Sequence, residues 1–289
     1  MPFKIAAMPA YNEAQAIEEV INGCMKFVDK VVVVDDGSTD TTAAIAESLG
    51  AYVVRHENNK GYGAALKNCF ETARQLGADA MVILDSDGQH DPSDIPKLVE
   101  PLENGFDLVI GSRFVNGNGK DIPVYRKFGM KVLDIATYIV GGLNVTDSQS
   151  GFRAYGRRAI ANINLSCTDM SAGSEILIHA FDHKLKFTEV EIFCRYDLND
   201  CSSENPISHG SKVLLWTLRE MKNRRPLYYF APLWLIFFGV EFLVGSKLLP
   251  FFLLGEGWSF WLELLMSSLI IFLGTFTILR GLFSKLLKE

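Results

Sequence analysis

The chain has no surplus of positive charge, no paired cysteines, no repeat and no low-complexity segment, and each absence removes a class of function. Its 28 Lys and Arg stand against 34 Asp and Glu, a net charge of −6. A nucleic-acid protein needs a basic surplus to neutralise phosphates, so nucleic acid is not an expected partner. The five cysteines (24, 69, 167, 194 and 201) are scattered, odd in number and never spaced Cys-x-x-Cys. Reduced thiols in a cytosol-facing domain fit that pattern better than disulfides or zinc. No cleavable signal peptide is expected, because an apolar strand starts almost at Met1. The 289 residues leave room for one α/β domain of ordinary size and an appendage.

What the chain does have is a set of apolar runs that end in acids. Ala80-Met81-Val82-Ile83-Leu84 leads into Asp85-Ser86-Asp87-Gly88-Gln89. Two carboxylates one residue apart, in a turn at the end of a buried strand, put hard oxygen ligands at the mouth of a sheet, where open α/β folds bind ligands. Mg²⁺ or Mn²⁺ held by one or two carboxylates completes its shell with substrate phosphates and water. An isolated Asp-x-Asp reads as an ordinary turn. Here the context decides otherwise. Residues 31–34, all Val, run into Asp35-Asp36-Gly37-Ser38-Thr39-Asp40, and residues 5–8 run into Pro9-Ala10-Tyr11-Asn12-Glu13. Continuous apolarity indicates strands covered on both faces, as in parallel sheets. Residues 53–54 and 108–110 extend the pattern, with helical stretches near 14–27, 40–49, 62–76 and 93–103. Strand, loop and helix in alternation predict βαβ units, so that several acidic strand ends converge on one edge.

In order, Pro9-Ala10-Tyr11-Asn12-Glu13, Val34-Asp35-Asp36-Gly37-Ser38-Thr39-Asp40, Asn59-Lys60-Gly61-Tyr62-Gly63, Asp85-Ser86-Asp87-Gly88-Gln89-His90, Gly111-Ser112-Arg113 and Ser150-Gly151-Phe152-Arg153 resemble the motif set of family 2 glycosyltransferases. The nearest likeness is to the dolichyl- or polyprenyl-phosphate sugar synthases, and it covers roughly the first 225 residues. The resemblance implies a GT-A fold, an α/β Rossmann-like domain with a mostly parallel sheet, over residues 1–205. It places Pro9, Tyr11, Glu13, Asp35 and Asp36 in a nucleotide pocket. Lys60, before a Gly-x-Gly turn, either meets a donor phosphate or is a solvated loop charge. Asp85, Asp87 and Gln89 match the metal ligands, for Mg²⁺ or Mn²⁺. Arg113 and Arg126 match cationic residues near the acceptor, and a guanidinium fork suits a lipid phosphate. Arg195 is a weaker candidate for that phosphate. Asp147 and Glu175 lie where relatives place acids, and either could orient the acceptor or the donor sugar; Glu175, His179 and His183 also share a helical face that reads as surface rather than a metal site.

The implied reaction is metal-dependent, inverting transfer of a hexose from a nucleotide sugar to dolichyl or polyprenyl phosphate, giving a lipid-linked donor for glycosylation. UDP-glucose or UDP-N-acetylglucosamine is favoured over GDP-mannose by the tail Arg225-Pro226-Leu227-Tyr228-Tyr229-Phe230. The alternative is transfer to a sugar hydroxyl of a lipid-linked glycan or polysaccharide. A processive synthase would carry Gln-x-x-Arg-Trp, and Trp216 is not preceded by Arg.

Composition shifts after Arg225. Residues 227–246 and 258–279 are almost wholly apolar, long enough to cross a hydrocarbon core of roughly 30 Å, and Pro250, Gly255 and Gly257 can turn a hairpin between them. Basic residues precede the first stretch and follow the second, which predicts a transmembrane hairpin over 227–289 with both termini and the catalytic domain cytoplasmic. Residues 206–226 mix Trp216 and aliphatics with Arg219, Lys222 and Arg224, as an interfacial helix does; residues 133–143 read either as another such helix or as core. Glu241, inside the first stretch, is either functional or faces the partner helix or another subunit of a homo-oligomer.

Overall fold

The computed structural model describes residues 2–115, 124–195 and 206–224, with isolated positions between 229 and 269; the side chains of 124–128 and 206–210 lie outside that description. The chain divides into two compact units, Met1–Leu215 and Trp216–Glu289.

In the first unit the apolar runs become strands β1 (Lys4–Ala10), β2 (Lys30–Asp35), β3 (Tyr52–Arg55), β4 (Ala80–Ile83) and β5 (Leu108–Ser112). They are joined by α1 (Ile17–Cys24), α2 (Thr42–Ser48), α3 (Tyr62–Leu76) and α4 (Ile95–Glu103). The first helix is shorter than the 14–27 expected from sequence, because residues 11–16 are spent on a turn. Asn12 adopts φ 57°, and the N–H groups of Ala16 and Ile17 fold back onto the Glu13 carbonyl. After β5 come α5 (Val124–Gly141), β6 (Arg153–Gly156), α6 (Arg157–Asn162), α7 (Ala172–Asp182), β7 (Phe187–Glu191) and α8 (Pro206–Arg224).

The seven strands form one sheet in the order β3-β2-β1-β4-β6-β5-β7. Neighbours are parallel except around β6, which runs antiparallel between β4 and β5. The expectation of a mostly parallel α/β sheet therefore stands. Alternate strand residues separate two cores. Ile5, Ala7, Val32 and Val34 pack with Leu66, Phe70, Ile160 and Ile176 on one face. Ala6, Met8, Val31 and Val33 pack with Ile17, Val20, Ala46 and Leu98 on the other. A helical layer covers each face, which is why the central strands β1, β2 and β4 are apolar along nearly their whole length.

Residues 133–143, left open between core and an interfacial helix, place one side in the core. Leu133, Ala136 and Val140 are buried on α5, whereas Ile135 and Tyr138 are about half exposed. On α8, Val213, Thr217 and Met221 form a buried stripe, with Leu215 exposed. Among the described residues no helix is long and apolar enough to cross a membrane, and the stretches 227–246 and 258–279 lie almost wholly outside them.

Candidate active site

Parallel strands deliver their C-terminal ends to one edge, and here each end carries chemistry. β1 opens into Tyr11 and Glu13, β2 ends at Asp35, β4 opens into Asp85 and Asp87, and β5 into Arg113. Because β6 runs the other way, the segment leading into it, Asp147 to Gly151, arrives at this same edge. β7 adds Cys194 and Arg195, whose backbone meets the Asp85 turn: Arg195 donates its N–H to the Gln89 carbonyl at 2.9 Å, and Cys194 bridges His90.

The acidic mouth is crowded. Burial, followed by the charges of Asp87, Asp85 and Asp40, pushes Glu13 up to about 7. Burial and Asp85 push Asp87 up to about 6. Burial works the same way on Asp85, but hydrogen bonding and charge from His90, with Tyr62 and Arg113, outweigh it and hold that carboxyl below its usual range. Such a cluster is a site waiting for positive charge. Among the described residues no three His, Cys, Asp or Glu side chains lie close enough to hold an ion unaided. The two carboxylates Asp85 and Asp87 in one turn suit a divalent cation that takes the rest of its shell from a ligand's phosphates, as Mg²⁺ does. Gln89 donates its N–H to Asp87 Oδ1 at 2.9 Å, while its side-chain oxygen accepts from Cys194 Sγ at 3.8 Å.

The nucleotide-pocket candidates divide. Pro9 is buried and its carbonyl accepts from Ser86 Oγ at 2.8 Å, tying the β1 end to the Asp85–Gln89 turn. Tyr11 is 40% exposed, available as a packing surface. Asp35 is fully buried; Oδ1 accepts from Ser38 N at 3.2 Å, and Oδ2 faces Arg55 Nε at 3.2 Å without a hydrogen-bonded donor. Asp36 is committed to the chain itself. It accepts from Lys60 N (2.9 Å), Gly61 N (2.8 Å) and the buried His56 Nδ1 (2.5 Å), whose other nitrogen meets Asn68 at 2.7 Å. Lys60 thus enters through its backbone, with its side chain exposed.

The Gly-x-Gly turn does mark a close approach, but to protein. A Cβ on Gly61 would meet the Thr168 carbonyl at 2.3 Å, and one on Gly63 the Cys167 carbonyl at 2.4 Å. Glu175 holds that 166–168 segment in place by accepting from Ser166 N, Ser166 Oγ and Cys167 N. The helix-surface expectation for Glu175 is corrected here. Its carboxyl is buried and, although burial opposes ionisation, the hydrogen bonds of His179, Ser166 and Cys167 lower it to about 2.

Arg113 and Asp147 form a fork: Nε to Oδ2 at 2.6 Å and Nη2 to Oδ1 at 2.7 Å, with Asp147 almost fully buried. Arg195 pairs with the exposed Glu19 at 3.5 Å. The Arg126 side chain lies outside the described residues. Sequence reasoning gave no role to Tyr62, which donates to Asp85 Oδ1 at 3.2 Å, or to His90, buried against Phe152 with Nε2 3.5 Å from Asp85 Oδ2. Both stand inside quoted motifs, and their roles became legible only once α3 and the β4 turn were brought together.

Known proteins share this architecture. The chain is 35% identical over 230 residues to the UDP-N-acetylglucosamine–dolichyl-phosphate N-acetylglucosaminyltransferase of Methanococcus voltae, covering 72% of this chain and 89% of that one. It is 30% identical over 235 residues to the polyprenol monophosphomannose synthase of Mycolicibacterium smegmatis, covering 76% and 89%. The fold matches the Mycobacterium tuberculosis glucosyl-3-phosphoglycerate synthase, crystallised with Mn²⁺, UDP-glucose and phosphoglyceric acid, at a TM-score of 0.60 and 24% identity over 75% and 78% of the two chains. The sequence profile of glycosyl transferase family 2 matches residues 6–163. With an acid-rich mouth at the open edge of a GT-A sheet and more than half its length within that profile, the chain belongs to glycosyl transferase family 2 and is a glycosyltransferase.

Proposed function

We propose that this enzyme transfers a hexose, with inversion, from a nucleotide sugar to the phosphate of a dolichyl or other polyprenyl phosphate. The observation that carries the reading is the convergence of Glu13, Asp85 and Asp87 at one sheet edge, where burial and the neighbouring carboxylates raise Glu13 to about 7 and Asp87 to about 6. Asp85 and Asp87, with Gln89 as a third ligand, would hold Mg²⁺ or Mn²⁺. The metal's chemistry is to neutralise charge on the departing nucleoside diphosphate. Pro9, Tyr11 and Glu13 would seat the nucleotide, with Asp35 held between Ser38 and Arg55 at the end of β2 and Asp36 shaping the Lys60 loop.

Transfer forms a bond from an acceptor phosphate oxygen to the anomeric carbon and breaks the bond from that carbon to the diphosphate, which leaves with the electron pair. No proton need be removed, since a phosphate monoester is already anionic near neutral pH, with a second pKa of roughly 6. A sugar-hydroxyl acceptor would need a base. Asp147, the acid placed there by sequence, has both oxygens on Arg113. That favours the phosphate acceptor, and Arg113 and Arg126 would meet it. UDP-sugars are preferred as donors, in line with the Methanococcus voltae relative's name.

Residues 206–226 would lie at a membrane surface and 227–289 would cross it as a hairpin, leaving the catalytic domain, 1–205, in the cytoplasm. Exposed Leu215 beside Arg219 and Lys222, and exposed Ile135 and Tyr138, support this placement. The test is nucleoside-diphosphate release across a panel of UDP- and GDP-sugars, with a polyprenyl phosphate, the matching polyprenol and a soluble glycan as acceptors. Release should depend on the phosphate. Use of the glycan with indifference to polyprenyl phosphate would overturn the reading.

A further inference from the structure

We infer that Tyr62, His90 and the bare backbone at Gly151 form a three-sided clamp that fixes the Asp85 carboxylate for its metal, making Tyr62 and His90 positioning residues of the reaction. The inference rests on the metal reading above and adds the parts that orient the ligand.

The three sides come from separate elements. Tyr62, the first residue of α3, donates its hydroxyl to Oδ1 at 3.2 Å. His90, five residues beyond Asp85 on the same turn, stands with Nε2 3.5 Å from Oδ2. Its other nitrogen, Nδ1, is buried with no hydrogen-bond partner among the described residues. A donor there would be left unsatisfied at the larger penalty, so the ring proton belongs on Nε2, directed at Asp85. Phe152 supports the ring, with centroids 5.1 Å apart, and the bridge to Cys194 pins its backbone. The third side is steric. A Cβ at Gly151 would lie 2.7 Å from Asp85 Oδ2, closer than such contacts permit, so only glycine lets the carboxylate keep this rotamer.

Tyr62 is itself held. The Gly63 N–H donates to the Thr168 carbonyl at 3.0 Å, and that segment is tied to Glu175. A ligating carboxylate with donors on both oxygens is pre-oriented, and loss of such outer partners typically weakens metal binding by about 10- to 100-fold.

The experiment is Mn²⁺ titration by electron paramagnetic resonance on the full chain in detergent with saturating UDP, beside UDP binding in EDTA. Tyr62→Phe and His90→Phe should each weaken Mn²⁺ by about tenfold or more while leaving metal-free UDP affinity within about twofold. His90→Gln, which keeps an N–H donor, should recover part of the loss. Gly151→Ala should lose as much as Tyr62→Phe. Asp87→Asn separates the two layers of the argument. If the wild type holds no Mn²⁺ with UDP, the metal reading and the clamp both fall. If Asp87→Asn loses Mn²⁺ while Tyr62→Phe and His90→Phe keep wild-type affinity, the metal reading stands and the clamp is refuted.

Discussion

Single side chains at the acidic mouth make their own demands on pH. Glu13 and Asp87 titrate at about 7 and about 6, above their free-chain values. Between those values and neutrality, the metal-free folded protein therefore holds more protons than the unfolded chain. Their contribution is fully present below the free-chain values of 3.8 and 4.5 and is lost as pH rises through 6 to 7. Glu175 behaves oppositely: its contribution is present above pH 4.5 and lost only as pH falls toward 2. Thermal melts in EDTA should show stability from Glu13 and Asp87 declining toward pH 7.5, with Mn²⁺ and UDP restoring it most at the upper end. Glu13→Gln should flatten that dependence; an unchanged profile would show the cluster does not set it. The Arg113–Asp147 fork sets a second demand. Arg113→Ala strands a buried carboxylate and should destabilise by about 3–5 kcal/mol, as breaking buried pairs does. Adding Asp147→Asn should return much of that stability without returning acceptor affinity, which melting curves and kinetics read separately.

At the scale of elements, two glycines make opposite forecasts. Gly63→Ala drives a Cβ to 2.4 Å from the Cys167 carbonyl at the start of α3 and should lower stability by about 1–3 kcal/mol. Gly129→Ala, inside α5 with no atom of the described residues within 4 Å of the new Cβ, should raise it by about 0.5–1 kcal/mol. Denaturant midpoints of the two variants give both signs in one experiment. Elements also show what the sequence could tell. β1, β2 and β4 were legible because burial on both faces leaves an unbroken apolar run. β6 was not: its residues are Arg153, Ala154, Tyr155 and Gly156, and only pairing with β4 and β5 makes them a strand. The site split along the same line. Asp85, Asp87 and Arg113 lie at the ends of readable strands. The commitments of Asp36 to the Lys60 loop and of Asp147 to Arg113 depend on contacts 24 and 34 residues apart, which no local pattern encodes.

For the molecule as a whole, the proposed hairpin is a matter of location. A polyprenyl chain stays in the bilayer with its phosphate at headgroup level, and basic residues such as Arg219 and Lys222 add about 1 kcal/mol each toward an anionic surface. A chain ending at Arg225 should therefore bind UDP with Mn²⁺ like the full protein yet turn over long polyprenyl phosphate in vesicles poorly. That deficit should shrink with a short, water-soluble prenyl phosphate. Equal failure on both acceptors would mean that residues 227–289 help to build the active site, with Glu241 the first residue to test.

The reversed strand has a consequence in time as well as in space. β5 leaves the ribosome before β6, yet its partners in the sheet are β6 and β7, so it has no place until they follow. A nascent chain that ends before Arg153 holds β1 to β4 as a partial sheet, with an open edge at β4 and β5 unattached, the state most exposed to mispairing and to chaperones. The carboxylates of Glu13, Asp85 and Asp87 are synthesised well before Asp147, the partner of Arg113, and Gly151, which emerge only just ahead of β6. Synthesis thus makes the acidic mouth before its far wall, and one four-residue strand, β6, must insert between β4 and β5 before the sheet can be continuous.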